Sequence, residues 1–87
     1  MANKISDKAV IGPDVKVGDH VSIGPFVSIF GDVVIGDDVT IYPNVSISGK
    51  IVIGNRCTLF PNVSIMSGTR LGDDNMVCQN TVLGALP

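Results

Sequence analysis

The stretch Ile35-Gly-Asp-Asp-Val-Thr-Ile41-Tyr-Pro-Asn-Val-Ser-Ile47-Ser-Gly-Lys-Ile-Val-Ile53 carries an isoleucine at every sixth position. Extended in both directions at the same interval, the series reads Ile5, Ile11, Val17, Ile23, Ile29, Ile35, Ile41, Ile47, Ile53, Leu59, Ile65, Leu71, Val77 and Leu83. Four residues after each comes a second residue, small or branched up to Val63: Ala9, Val15, Val21, Val27, Val33, Val39, Val45, Ile51, Cys57 and Val63, then Thr69, Asn75 and Thr81. The pair between carries turn chemistry, as in Pro13-Asp14, Pro25-Phe26, Gly31-Asp32, Pro43-Asn44, Gly49-Lys50, Pro61-Asn62 and Ser67-Gly68. Proline presets φ, and Gly, Asn and Asp tolerate positive φ. Each hexad is therefore a short strand and a tight turn. In Val21-Ser22-Ile23-Gly24, alternation puts Val21 and Ile23 inward and Ser22 and Gly24 outward.

A second period of 18 residues lies on the first. Gly18, Gly36, Gly54 and Gly72 recur, each followed by Asp or Asn. Three hexads thus make one coil of a three-sided prism, with coils stacked by parallel pairing. The sequence predicts an all-β fold, a parallel β-helix of about 4.5 coils of 18 residues. Spacings of six and two never match an amphipathic helix, so no helix is expected. With 45% apolar but only 5% aromatic residues, the bore must be filled by aliphatic side chains in small, similar layers.

Other features exclude function classes. The net charge is −2 with no basic patch, so nucleic acid is not an expected partner. No apolar run is long enough for a membrane span, and Met1-Ala2-Asn3-Lys4-Ile5 lacks a signal-peptide core. Two cysteines do not make a disulfide framework, which suits a cytoplasmic, reducing compartment. Cys57 is expected inward and Cys78 outward, as two free thiols. His20 is the sole histidine and reads as a solvated turn residue. Alone it cannot supply a three-histidine zinc site. Asp37-Asp38 and Asp73-Asp74 stand on the corner of Asp19. They are expected to be turn formers facing water, since Asn55-Arg56 interrupts the column. No catalytic, cofactor or metal site is assigned. Hydroxyl rows Ser28/Ser46/Ser64 and Ser22/Thr40/Thr58 could suggest an ice-binding face, but they are single rows, and Tyr42 and Phe60 flank the second. Outward Tyr42, Phe60, Met76 and Cys78 line one face and are expected to form an oligomer interface. Phe30 and Met66 lie on the next face, and Val34 and Val52 on the third.

The repeated unit, aliphatic-Gly-turn-turn-small, is similar to the hexapeptide-repeat acyltransferase family over residues 5 to 87. Val17-Gly-Asp-His-Val-Ser-Ile-Gly-Pro-Phe26 resembles the early coils of the UDP-N-acetylglucosamine acyltransferases. Leu71-Gly-Asp-Asp-Asn-Met-Val-Cys-Gln-Asn-Thr-Val-Leu-Gly-Ala-Leu-Pro87 resembles the segment just before their Gln-Asp substrate loop. About one extra coil separates the two stretches. The resemblance implies a single-stranded left-handed helix, although the pattern itself does not fix its hand. It implies a homotrimer, with acyl carrier protein and a sugar nucleotide as partners of the parent enzyme. Residues 1–87 then form one domain, the N-terminal portion of a longer acyltransferase-like fold in lipid A or surface-glycan synthesis. The family's Gln-Asp loop and catalytic-histidine coil fall beyond Pro87, so the segment is expected to be inactive alone. The rival reading is a self-associating structural β-helix without chemistry.

Overall fold

A computed structural model describes residues 3–84. The first coil holds β1 (Lys4–Ile5), β2 (Val10–Ile11) and β3 (Lys16–Val17). The second holds β4 (Ser22–Ile23), β5 (Ser28–Phe30) and β6 (Val33–Ile35). The third holds β7 (Thr40–Ile41), β8 (Ser46–Ser48) and β9 (Ile51–Ile53). The fourth holds β10 (Thr58–Leu59), β11 (Ser64–Ile65) and β12 (Arg70–Leu71), and a fifth contributes β13 (Met76–Val77) and β14 (Val82–Leu83). No helix occurs among the described residues.

The strands form three parallel sheets, the faces of the prism. Face A runs β1-β4-β7-β10-β13, face B runs β2-β5-β8-β11-β14, and face C runs β3-β6-β9-β12. Every pairing is offset by 18 residues, as in Ile23↔Ile41, Ile29↔Ile47 and Ile35↔Ile53. Aliphatic residues therefore stack on their own repeats, and the bore fills with like-on-like layers. The core comprises Val21 through Val77 at alternate strand positions, with no buried polar residue among those described. Cys57 is fully buried within it and Cys78 is exposed, both as free thiols.

The bore is not uniformly closed. Ile5 is 43% exposed, and Ala9, Ile11, Val15 and Val17 are only partly buried. Inward position is not burial when no coil among the described residues packs beneath. At the other end Leu71 and Leu83 are half-buried and Asn75 is exposed. The first coil leaves a parallel strand edge at the N-terminal end, and Met1 and Ala2 lie outside the described residues. Asn3 does cover part of it. Its amide oxygen accepts the Val21 N–H (2.9 Å), and its amide nitrogen donates to the Gly18 carbonyl (3.0 Å).

Candidate functional site

Three corners join the faces, and their chemistry differs. The corner between C and A carries Gly18-Asp19-His20, Gly36-Asp37-Asp38, Gly54-Asn55-Arg56 and Gly72-Asp73-Asp74. The first turn residues form a ladder between coils. Asp37 Oδ1 accepts the Asp19 N–H (2.9 Å), Asn55 Oδ1 accepts the Asp37 N–H (2.8 Å), and Asp73 Oδ1 accepts the Asn55 N–H (2.8 Å). A parallel row of backbone bonds runs from Asp38, Arg56 and Asp74 N–H to the carbonyls of Asp19, Asp37 and Asn55. The sequence marked these residues as turn formers facing water. They are that, and they also join each coil to the next.

The second turn residues make a charged column. Arg56 Nε donates to Asp74 Oδ1 at 2.7 Å and its second nitrogen to Oδ2 at 3.2 Å. That hydrogen bond, with the guanidinium's charge, holds the Asp74 carboxyl below the ordinary carboxylate range and raises Arg56. His20 Nδ1 lies 3.8 Å from Asp38 Oδ1, with both side chains more than half exposed. This is a solvated corner, whereas proton transfer needs an imidazole held in place by its partners. Among the described residues no three His, Cys, Asp or Glu side chains cluster as metal ligands would.

Face A brings together the four residues assigned to an interface. Register places Tyr42, Phe60 and Cys78 in one column and stacks Met76 on Thr58. The Tyr42 and Phe60 rings stack with centroids 5.3 Å apart and planes within 6°. Tyr42 is 41% and Met76 68% exposed. The stacking follows from the 18-residue offset, which the sequence spacing of Tyr42 and Phe60 already contained. Beside them runs the hydroxyl row Ser22, Thr40 and Thr58. On face B, Ser46, Ser48, Ser64, Ser67, Met66 and Gly84 help to line a shallow groove of about 430 Å³. The groove's lining contains no ionisable side chain, so it offers shape and hydroxyls but no acid or base.

The sequence profile of the bacterial transferase hexapeptide (six repeats) matches residues 32–59 and 50–85, well over half of the chain. The chain belongs to the bacterial hexapeptide-repeat transferase family. No curated protein matches this hexapeptide-repeat chain. Among solved structures it is similar in fold to mutants of a perosamine N-acetyltransferase from Caulobacter crescentus, each in complex with CoA and GDP-perosamine. One match has 22% identity and a TM-score of 0.39, covering 99% of this chain and 52% of that one. The other has 21% identity and a TM-score of 0.31, covering 97% and 54%. The hexapeptide-repeat chain thus spans about half the length of the solved chains it matches. No helix among its described residues is long and apolar enough to cross a membrane.

Proposed function

We propose that this chain supplies the N-terminal β-helix of an acyl-ACP-dependent sugar acyltransferase. The acceptor class is UDP-N-acetylglucosamine or a related sugar nucleotide, and residues 3–84 serve as scaffold rather than catalyst. The observation that supports this reading most is the conjunction of a transferase repeat with the lack, among the described residues, of a positioned base. Acyl transfer to a sugar hydroxyl or amine needs a group that takes its proton. The single histidine stands on a solvated corner beside Asp38. The prism's work would be to order a homotrimer and to wall part of the cleft between protomers. Exposed Tyr42, Met76 and Cys78, with half-buried Phe60 between them, are the natural contact on face A. A self-associating scaffold without chemistry is the second reading, and the same missing base favours it.

A fusion experiment separates them. Residues 1–84 are joined in register to the later coils of a UDP-N-acetylglucosamine acyltransferase, which carry its Gln-Asp loop and histidine. The fusion is expected to turn over acyl-ACP and UDP-N-acetylglucosamine, while the 87-residue chain alone does not. Turnover by the 87-residue chain would overthrow the scaffold assignment. A folded, trimeric but inactive fusion would favour the chemistry-free scaffold.

A further inference from the structure

Charge is divided unevenly between the three faces. From Ser22 to Gly84, neither face A, face B nor the corner joining them carries a charged side chain. Among the described residues, charges there belong to the first coil, at Lys4, Asp7 and Lys8. Beyond Ser22, Asp32 and Lys50 stand on the corner between B and C, Arg70 stands on face C, and the other charges stand on the C-to-A corner. Large apolar side chains left exposed divide the opposite way. Phe26, Phe30, Tyr42, Met66, Met76 and Val82 lie on the uncharged side, and over the same residues Val34 is the one on face C. Depletion of charge with enrichment in aromatic residues and methionine is the composition of an interface core. It extends over two faces, whereas the residues assigned to the trimer contact lie on one.

A three-fold ring needs that second surface. Its contacts are heterologous: away from the axis, a patch on one copy meets a different patch on the next. Face A offers the stacked rings of Tyr42 and Phe60. Face B offers a recess, the groove that Ser46, Ser48, Ser64 and Met66 help to line. Their heights agree. Tyr42 follows β7 and Phe60 follows β10, and the groove crosses β8 and β11, all in the third and fourth coils. Rotation about an axis along the prism leaves every copy at one height, so the rings of one chain come level with the groove of the next. The chemistry agrees as well. The groove's lining holds no ionisable side chain for a ring to strand, and its serine hydroxyls can pair with the Tyr42 hydroxyl once water is excluded. Face C, by contrast, carries Lys16 and Arg70 in its outward column, and covering them with apolar rings would bury cations without partners.

Given the side-by-side trimer proposed for this chain, we infer that the groove on face B is the seat for face A of the neighbouring copy. The corner between A and B then turns to the three-fold axis, and the C-to-A corner turns to solvent. The opposite arrangement would gather three columns of carboxylates on the axis, where their repulsion is least screened.

Charge reversal across the contact tests the pairing. Tyr42→Lys with Phe60→Lys alters the rings. Ser46→Glu with Met66→Glu alters the groove at two exposed positions in different columns. Sedimentation velocity on the full chain reads the mass, and circular dichroism reads the fold. The unaltered chain is expected to sediment as three chains, and the glutamate variant, like the lysine variant, as one. The quadruple variant is expected to regain three, because each lysine pair then meets a glutamate pair on its neighbour. Val34→Glu is expected to leave the mass unchanged, and dissociation there would place the contact on face C instead. A folded glutamate variant that remains a trimer would overturn the inference while leaving a trimer through face A intact. A quadruple variant that stays monomeric would overturn the pairing of A with B. An unaltered chain that is monomeric at every concentration would remove the trimer and the inference together. Should the glutamate pair disturb the β spectrum, Met66→Glu alone is read by the same criteria.

Discussion

Eight non-glycine residues hold φ between 58° and 65°: His20, Phe26, Asp38, Asn44, Arg56, Asn62, Asp74 and Asn80. All occupy the second turn position of a corner entering face A or face B. Asn and Asp were legible there, because they visit that conformation most readily. Phe26, His20 and Arg56 were not, since neighbouring coils, not local propensity, impose it on them. Glycine at the head of the C-to-A corner answers a different need. A Cβ on Gly54 would lie 2.7 Å from the Gly72 carbonyl carbon and 2.8 Å from the Asp73 nitrogen, both backbone atoms. A Cβ on Gly72 would meet only Asn75 Nδ2, at 3.8 Å. Gly54→Ala is therefore expected to destabilise by about 1–3 kcal/mol. Gly72→Ala is expected to be neutral or to stabilise by up to about 1 kcal/mol through the unfolded state. Equal thermal melting shifts for the two would contradict the close-packing account. Acid should act through Asp74. Its carboxyl is lowered in the folded chain by the Arg56 hydrogen bond, so the pair's contribution is complete above the unfolded carboxyl pKa and lost as pH falls through the lower folded value. Arg56 is raised, so its share is lost only at strongly alkaline pH. Asp74→Asn should flatten the acid limb of a pH–stability curve, and high salt should narrow the difference, because the pair is exposed. An acid limb of unchanged steepness would remove the pair from the account.

At the scale of the element, the six-residue interval announces each strand, and the 18-residue interval announces which strands pair. That was enough to read fold, register and the bore from Ile5 to Leu83. What the interval does not encode is how completely each position is covered. Ile47 is fully buried between coils, whereas Ile5, equally aliphatic and equally in phase, is 43% exposed. Ile47→Ala is expected to cost about 2–5 kcal/mol and Ile5→Ala less than about 1 kcal/mol, measured by denaturant unfolding. Comparable losses would mean that the first coil is covered in solution. The corner ladder was missed for another reason. Asn55 looked like an interruption of an acidic column, but its side-chain oxygen accepts the Asp37 N–H as a carboxylate would. Only the acceptor matters there, and charge was the misleading cue. The cysteines offer an independent check of which side of the wall each residue takes. Cys78 should label with a thiol reagent at once, and Cys57 only at the rate at which the chain opens. Two equally fast thiols would show the fourth coil to be open in the native state.

At the scale of the whole molecule, a solenoid's stability is a sum of neighbouring coil contacts, so a face can change without touching the bore. This is also why the sequence spoke clearly about fold and faintly about chemistry. Repeats fix the walls, while an active site needs particular groups brought together once. Here His20, Asp38 and Arg56 are repeats of a corner rather than a constellation, and the surface with a distinct character is face A. Its Tyr42–Phe60 stack lies outside the wall, over the buried Ile41 and Leu59 but not among the side chains of the bore. Replacing both rings by lysine should therefore leave the strands, the register and the far-ultraviolet spectrum in place. The proposed side-by-side trimer through this face would gather six added cations where rings would otherwise meet the next chain. Such crowding in a desolvated contact is far more costly than the loss of the rings alone. Tyr42→Lys with Phe60→Lys is accordingly expected to shift the sedimenting mass from three chains to one with little loss of thermal stability. A double variant that remains trimeric would move the interface to face B or face C, and an unaltered chain that sediments as a monomer would remove it altogether.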